Sequence, residues 1–367
     1  MKFTCDKHSI LDEISIAQEI ISSRNALSVL SNVYLEANSN TLTLKATDLK
    51  VSFESKIPVD VKQSGSTTVF SDKFLSILRA LPDGDVEFEQ VENTFIIKPV
   101  FGSIDFKLKS IASDKFPELQ EISGSNYFNI AQKDLIEMIG QTSFAVSDDE
   151  TRYFMNGVYL EHQDKDLVMV ATDGRRLSLI RKTFDSLEFS FSAVIIPPKI
   201  LHLVKKLCSG EGEVAMAVSD KHIYFEFDNQ KISSNLIEGQ FPNYNRVIPE
   251  KQDNRVIIEK DKLVEALKRV SLLVEQRSRR IYFTIQKDNI ILSSEESEIG
   301  VAKEELPCKY DGPETVIALN YVYLSDPLKV IEDSDLVVEF SEANKAISLL
   351  PSSNAGYIHI IMPMQLD

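Results

Sequence analysis

The sequence is poor in the residues that build disulfide frameworks and metal centres. Its 367 residues include five histidines and three cysteines, and Cys5, Cys208 and Cys308 are far apart in the chain. Three scattered cysteines do not form a disulfide or metal-binding pattern, so we expect a protein of the reducing cytoplasm. No apolar run reaches the roughly 18 residues that a membrane helix needs, and the amino terminus has no apolar signal core. We therefore expect no membrane contact.

Catalytic signatures are also lacking. The sequence contains no dinucleotide-binding GxGxxG, Walker phosphate loop, HExxH zinc motif or GxSxG elbow, and the histidines show no metal-ligand spacing. The acidic clusters at 147–150 and 295–298 could be solvated loops or cation sites. Neither has the alternating ligands and central glycine of a calcium loop, which favours the solvated loop. We expect no metal, no cofactor and no enzymatic activity.

Basic residues are outnumbered. The chain has 40 Lys and Arg against 56 Asp and Glu, a formal net charge of −16 at pH 7, with ordinary globular hydrophobic content of 43%. At face value this charge opposes binding to nucleic acid, because phosphates repel an acidic surface. The sign of local patches then matters more than the total, since salt screens exposed charges over about 8 Å.

An internal repeat is present. Ala46-Thr47-Asp48 recurs as Ala171-Thr172-Asp173 at an offset of 125 residues, and Phe116-Pro117 recurs as Phe241-Pro242 at the same offset. A third, more diverged copy begins with a helical pattern that we place at Lys260 to Val274. The chain length is three times about 122 residues, which is a usual domain size.

Each copy shows the same order of periodicities: helix, strands, helix, strands. Strands without strict strand–helix alternation indicate an α+β fold with antiparallel sheets. We predict three domains at residues 1–123, 126–249 and 254–367. The linkers between them fall near Glu121–Asn126 and Pro249–Asn254.

One string resembles a reactive site. In Thr172-Asp173-Gly174-Arg175-Arg176 an Asp stands beside two Arg, an arrangement that could bind a phosphate or carboxylate. The copy-one counterpart, Thr47-Asp48-Leu49-Lys50, favours a structural strand end instead. Two alternatives stay open at this point. The protein could be a nucleic-acid-processing enzyme that uses the Asp173–Arg176 cluster, or a repeat-built scaffold that never meets DNA.

Several segments taken together resemble the bacterial DNA polymerase III beta subunit family, the replication sliding clamps. The resemblance covers the whole chain and depends on five matched stretches in order: Thr151–Gly157, Ala171–Leu177, Phe241–Val247, Asn320 with Tyr323, and Met362-Pro363-Met364. It implies a head-to-tail homodimer in which six similar domains close a ring around duplex DNA without reading its sequence. It also implies a non-enzymatic processivity factor that a separate, ATP-driven clamp loader places on DNA.

The resemblance implies a groove between the second and third copies. There the family binds a short peptide carried by the DNA polymerase III alpha subunit, other polymerases, the clamp loader and repair proteins. Flexible methionines and aliphatic walls suit a site that accepts varied partners. The matching positions are Phe154, Met155, Thr172, Gly174, Arg175, Arg176, Leu177, Pro242, Arg246, Val247, Asn320, Tyr323, Met362, Pro363 and Met364.

A sliding ring should line its hole with basic helices that contact phosphates only. Lys260 to Arg280, taken as one helical segment, contains seven basic residues against three acids. A solvated helix face is the alternative for any single helix. The positions that we assign to DNA contact are Arg24, Lys73, Arg79, Arg152, Tyr153, Lys199, Lys205, Lys206, Lys268 and Arg269.

A head-to-tail dimer needs two unlike edges. We expect the strand Ile104–Lys109 to pair with the third-copy segment Glu298–Glu305 of a second chain. Leu272 and Leu273 could instead belong to the core. The residues that we assign to this interface are Phe106, Lys107, Leu108, Leu272, Leu273, Glu298 and Glu304, with Lys107 and Lys109 facing Glu298, Glu304 or Glu305.

The sequence departs from the family pattern at three places. Position 175 is Arg where many relatives have His, and the chain ends Gln365-Leu366-Asp367 where Arg-Leu is common. Both changes alter charge at the rim of the groove. Pro327 interrupts an expected inner helix, so it should lie in the first turn of that helix or shift its start.

Overall fold

The structure is a computed structural model that describes residues 1–21, 29–119, 127–185, 191–353 and 356–366. Arg24 and the predicted linker at 121–126 lie outside these described residues. Within them the chain forms six α-helices, two in each copy of the repeat: α1 (Lys7–Ile20), α2 (Ser71–Ala80), α3 (Gln132–Thr142), α4 (Pro198–Leu207), α5 (Lys260–Val270) and α6 (Tyr321–Leu328).

Some strands alternate buried and more exposed side chains, and others contain runs of consecutive buried side chains. The strands of the first copy are β1 (Lys2–Asp6), β2 (Asn32–Asn38), β3 (Thr41–Thr47), β4 (Val51–Pro58), β5 (Asp60–Gln63), β6 (Gly65–Phe70), β7 (Asp85–Val91), β8 (Thr94–Pro99) and β9 (Phe106–Ile111). Those of the second copy are β10 (Phe128–Ala131), β11 (Val158–Gln163), β12 (Asp166–Thr172), β13 (Arg176–Thr183), β14 (Val194–Ile196), β15 (Glu213–Val218), β16 (His222–Glu226) and β17 (Gln230–Asn235). Those of the third copy are β18 (Asn254–Glu259), β19 (Arg280–Gln286), β20 (Asn289–Ser294), β21 (Lys303–Pro307), β22 (Thr315–Asn320), β23 (Asp335–Phe340), β24 (Ile347–Pro351) and β25 (Tyr357–Ile361).

The chain folds as two compact units. The first consists of Met1–Gln132 and His202–Leu236. It contains a thirteen-stranded sheet in the order β10-β15-β16-β17-β4-β3-β2-β6-β9-β8-β7-β1-β5. Second-copy strand β17 pairs with first-copy strand β4, and Ile232 lies opposite Phe53. The sheet therefore continues from one copy into the next.

The second unit consists of Lys133–Leu201 and Ile237–Asp367. It contains an eight-stranded sheet, β14-β11-β12-β13-β25-β24-β23-β18, and a four-stranded sheet, β21-β20-β19-β22. Here β13 pairs with third-copy strand β25, and Ser178 lies opposite His359. All strand pairings among the described residues are antiparallel, as the sequence pattern predicted.

Helix α1 shows how the sequence directs local structure. The Asp6 side chain accepts a hydrogen bond from the Ser9 backbone N–H and caps the helix start. Ile10, Ile14 and Ala17 recur at helical spacing, and all three are fully buried. The apolar stripe predicted from the sequence is therefore the face that packs into the core of the first unit.

The prediction for the opening helix of the third copy was too long. Helix α5 ends at Val270, and a 3-10 turn at Ser271–Leu273 follows it. Arg279 has a φ of 54°, which a right-handed helix excludes, and β19 begins at Arg280. The helix therefore carries four basic residues and two acids, and the remaining arginines lie on a loop and a strand.

Both alternatives for Pro327 were wrong. Helix α6 begins at Tyr321, where Asn320 caps it by accepting a hydrogen bond from the Val322 N–H. Pro327 is buried in the last turn of the helix and does not move its start. The helix continues past it to Leu328.

Three further structural findings bear on function. Among the residues that the structure describes, no helix is long and apolar enough to cross a membrane. Over the same described ranges, no three His, Cys, Asp or Glu side chains lie where they could hold a metal ion. Burial raises the pKa of Cys5 to about 12 and those of Cys208 and Cys308 to about 11. These thiols therefore stay protonated at neutral pH and are poor nucleophiles.

Candidate functional site

The turn between β12 and β13 is held by its own side chains. The Thr172 hydroxyl accepts a hydrogen bond from the Gly174 N–H at 3.1 Å and donates to the Arg176 carbonyl at 2.6 Å. Asp173 Oδ1 accepts from the N–H groups of Arg175 and Arg176. Gly174 has a φ of 86°, a conformation that favours glycine. The turn is therefore rigid, and Arg175 projects from it into solvent.

Arg176 lies at the centre of a partly buried network. Its Nε donates to Asp173 Oδ2 at 3.1 Å, its Nη1 to Asp326 Oδ2 at 2.7 Å, and its Nη2 to the Phe144 carbonyl at 2.6 Å. Only 10% of the side chain is exposed. Burial alone would raise the pKa of Asp326, but hydrogen bonds from Lys329 and Arg176 outweigh it and lower the pKa. The network therefore keeps the Asp326 carboxylate charged at neutral pH.

Tyr323 covers this network. The guanidinium carbon of Arg176 lies 4.7 Å from the centroid of the Tyr323 ring, within the range of a cation–π contact. On its backbone side, the Tyr323 carbonyl lies 3.1 Å from His359 Nε2. Tyr323 is half-buried, and both its ring and its backbone carbonyl have a contact.

Apolar side chains form the surface beside the turn. Met155 and Leu177 are buried, whereas Val247 and Met362 are exposed to 43% and 41%. Leu177 belongs to one hydrophobic cluster with Phe241 and Tyr244, and Phe154 packs against that cluster. Exposed aliphatic groups above a packed apolar floor are what an apolar anchor from a partner would contact.

The chain end lies along the same region. The Met362 N–H donates to the Arg175 carbonyl at 2.9 Å, and the Met364 N–H donates to the Ala318 carbonyl at 2.8 Å. These bonds hold Pro363 between the β12–β13 turn and strand β22, which ends at Asn320. The structure therefore brings the carboxyl-terminal and middle-chain parts of the predicted groove together.

The remaining groove positions border this surface. Pro242 precedes the 3-10 turn Tyr244–Arg246, whose Tyr244 is buried in the apolar floor, so Arg246 projects beside it and is exposed. Arg175 and Arg246 form no ion pair with any residue that the structure describes. Both add positive charge at the rim.

Several residues of this site were missed by the sequence analysis. Asp326 and Phe144 bind Arg176, His359 contacts the Tyr323 carbonyl, and Ser178 contacts His359. His359 is fully buried. The available signal in the sequence was a single histidine within the apolar pattern of β25. Asp326 gave no signal, because one acid in a short helix is ordinary.

The candidate DNA contacts are mostly neutralised by acids of the same chain. Arg152 Nε lies 2.9 Å from Asp149, and Lys206 pairs with Glu19. The other positions with an acidic neighbour within 4 Å are Lys73, Lys268 and Arg269. Arg79 and Lys205 are exposed and have no ion pair within the described ranges, Lys199 and Tyr153 are exposed, and Arg24 is outside those ranges.

In each unit, one of the strands with an unpaired side in the described part of the chain lies at a segment that the sequence assigns to the dimer. In the first unit, β9 begins at Phe106 and not at Ile104 as predicted. Its residues Phe106–Lys109 pair with β8 alone, since β6 reaches only Ser110 and Ile111. Phe106 and Leu108 are half-buried, while Lys107 and Lys109 are exposed.

In the second unit one of the two outer strands of the four-stranded sheet is β21. Leu272 is 78% exposed, so the alternative that it belongs to the core is wrong for this residue; Leu273 is half-buried. Ile299 and Val301, which the sequence analysis did not single out, are also exposed. Glu304 is bound within its own chain by Arg269 at 2.6 Å, whereas Glu298 is exposed.

Comparison with known proteins identifies the family of the chain. Models for the N-terminal, central and C-terminal domains of the DNA polymerase III beta subunit match residues 1–120, 129–243 and 245–365. This chain belongs to the DNA polymerase III beta subunit family. The resemblance is confirmed, and so is the fold class of three repeated clamp domains with antiparallel sheets.

Relatives of the beta subunit family match over the full length. The chain is 46% identical over 371 residues to the beta sliding clamp of Treponema pallidum, with all of both chains covered. A Pseudomonas aeruginosa sliding clamp solved with bound griselimycin superposes with a TM-score of 0.95 at 30% identity, and the Bacillus subtilis clamp with 0.95 at 26%. Both comparisons cover all of both chains.

Proposed function

We propose that this protein is a processivity clamp: a homodimeric ring that encircles duplex DNA and tethers the replicative polymerase through the groove around Arg176. The observation that carries the proposal is the full-length match to beta sliding clamps, and the apolar surface beside Arg176 supports it. Its partners would be the clamp loader, the DNA polymerase III alpha subunit, and other polymerases or repair proteins with a clamp-binding peptide. The protein would act in the cytoplasm and catalyse no reaction.

Two of the unpaired strand edges support ring closure. Strand β9 offers backbone hydrogen-bonding groups beside Phe106 and Leu108, and strand β21 offers the same on the side away from β20. Two unlike edges on each chain allow a head-to-tail dimer that closes on itself. Because Glu304 is already bound by Arg269, we assign the charge contact of Lys107 to Glu298 or Glu305.

The electrostatics support sliding. Five of the assigned basic positions have an acidic neighbour in the same chain, so each contributes less attraction to phosphate than an unpaired cation would. The affinity for DNA then stays low and sequence-independent. A ring that is held topologically needs no strong contact.

The test is retention on circular DNA. We expect the protein, once placed by a clamp loader on nicked circular DNA, to co-elute with the circle in gel filtration and to be lost when the circle is linearised. Retention on both forms would indicate ordinary DNA binding, and retention on neither would contradict the ring. Release of nucleotides by the purified protein would favour the enzyme alternative, and failure to associate with DNA would favour the scaffold.

The dimer edge can be tested by mass. Replacing Leu272 and Leu273 together by alanine should reduce the particle from about twice 41.4 kDa to a single chain in light scattering. Leu49→Ala is the matched control, since Leu49 is an exposed leucine far from either edge in sequence. An intact dimer in the double variant would remove these leucines from the interface.

A further inference from the structure

Helix α6 contains a proline four residues after Tyr323. In an α-helix the carbonyl of one residue accepts a hydrogen bond from the N–H four residues later. Pro327 has no N–H, so it cannot supply that bond to the Tyr323 carbonyl. A buried carbonyl without a donor is unfavourable, and another group must replace the missing one.

His359 replaces it. Its Nε2 lies 3.1 Å from the Tyr323 carbonyl, and its side chain is fully buried on β25. Because a carbonyl oxygen only accepts, Nε2 must carry the hydrogen, which leaves Nδ1 to accept from the Ser178 hydroxyl. Burial lowers the pKa of His359 to about 3, so the ring stays neutral.

Two tethers therefore hold α6 against strand β13. One runs from Ser178 through His359 to the Tyr323 carbonyl, and the other runs from Arg176 to Asp326. The two attachment points on α6 are three residues apart, almost one helical turn. Between them the Tyr323 ring is placed over the guanidinium of Arg176.

We propose that His359 is a positioning residue of the partner-peptide groove: it binds the carbonyl that Pro327 leaves without a donor and so fixes the ring of Tyr323 over Arg176. The inference builds on the groove function proposed above. His359 itself is buried and does not contact the partner.

Three variants test this coupling: His359→Leu, Pro327→Ala and the two combined. Leucine keeps the apolar volume but donates nothing, so a synthetic peptide from the DNA polymerase III alpha subunit should bind about tenfold more weakly or worse, as one lost hydrogen bond predicts. Adding Pro327→Ala should restore binding to within about threefold, since residue 327 then offers an N–H to the Tyr323 carbonyl. His162→Leu is the matched control, because His162 Nε2 lies 2.9 Å from the Phe191 carbonyl, outside the groove.

The Arg176 side chain gives a second readout. Its Nε–Hε NMR signal should be shifted by the Tyr323 ring, move in His359→Leu, and return in the double variant. Unchanged affinity and signal in His359→Leu would overturn the proposal, as would failure of Pro327→Ala to rescue. If His359→Leu does not fold, His359→Gln takes its place, because the glutamine amide can still donate a hydrogen bond. This variant should keep the affinity for the peptide and the Arg176 signal. Loss of both in a folded His359→Gln protein would overturn the proposal. Absence of peptide binding by the unmodified protein would contradict the groove function, while the NMR signal still tests the positioning.

Discussion

The β3–β4 turn of the first copy and the β12–β13 turn of the second have the same hydrogen bonds. In the first, the Thr47 hydroxyl accepts from the Leu49 N–H at 3.0 Å and donates to the Val51 carbonyl at 2.9 Å. Asp48 accepts from the N–H groups two and three residues later, as Asp173 does. The residue after the aspartate has a positive φ in both turns, 72° at Leu49 and 86° at Gly174.

The side chains that follow the two turns differ. The first copy has Val51, which is buried, where the second has Arg176 with its ion network. Two residues later, Phe53 faces Ile232 in the first unit, whereas Ser178 faces His359 in the second. The repeated turn is therefore a scaffold, and the groove arises from polar substitutions on an apolar strand junction.

The largest expected effect comes from making the second junction like the first. Arg176→Val should leave Asp173 without its cation and Asp326 with Lys329 alone. We expect a cost of about 3 kcal/mol in unfolding free energy and peptide binding weakened by about 100-fold or more. Urea denaturation and calorimetric titration measure the two quantities.

Arg181→Val is the matched control for that substitution. Arg181 lies on the same strand and pairs with Asp166 at 3.1 Å, but it is 40% exposed. We expect a change of less than about 1 kcal/mol and no effect on the peptide. Equal effects of the two variants would show that the buried network is not special.

The next largest effect should be a difference between the two junctions in how their stability depends on pH. Burial lowers the pKa of His359 from 6.5 to about 3, so the unfolded chain binds a proton before the folded one does. The second unit should lose stability as pH falls below 6.5, by about 3 kcal/mol at pH 4.5. In the first unit, burial raises the pKa of Glu13. The contribution of Glu13 to stability is therefore present at low pH and is lost as pH rises, which is opposite to the effect of His359.

Hydrogen exchange resolves this difference. Amides paired between β13 and β25 should lose protection between pH 7 and 4.5, after correction for intrinsic rates, more than amides paired between β4 and β17. His359→Gln should reduce the pH dependence of the first set. Equal behaviour of both sets would indicate that the histidine is not the cause.

The smallest expected effect concerns the left-handed residue. Leu49→Gly should relieve an unfavourable φ and raise the unfolding free energy by about 0.5 kcal/mol after the entropy of glycine is counted. Gly174→Ala should lower it by about 1 kcal/mol. Thermal denaturation of both variants checks the signs, and a destabilised Leu49→Gly protein would contradict the idea of strain at this turn.

Much of this architecture was predictable because it depends on local patterns. The recurrence of Ala-Thr-Asp at positions 46 and 171 marks turns with the same geometry, and helical spacing identified the buried face of α1. The α5 prediction was wrong because basic residues continue beyond Val270. Charge does not distinguish a helix from a loop followed by a strand.

Contacts between distant residues were not predictable. Arg269 and Glu304 were assigned to DNA and to the dimer interface, and the fold pairs them with each other. Asp326 lies 150 residues from Arg176, and its role is not visible in an ordinary acidic position of a short helix. Such pairs depend on which strands and helices become neighbours.

The sequence by itself determined the three copies, the antiparallel class and the family, because these follow from periodicity and motif. Only the tertiary structure decided that His359 satisfies the carbonyl that Pro327 leaves without a donor, and that Tyr323 lies over Arg176. The physical reason is that hydrogen bonds of buried groups are completed by strand register and helix packing. Neither is encoded in the spacing of residues along the chain.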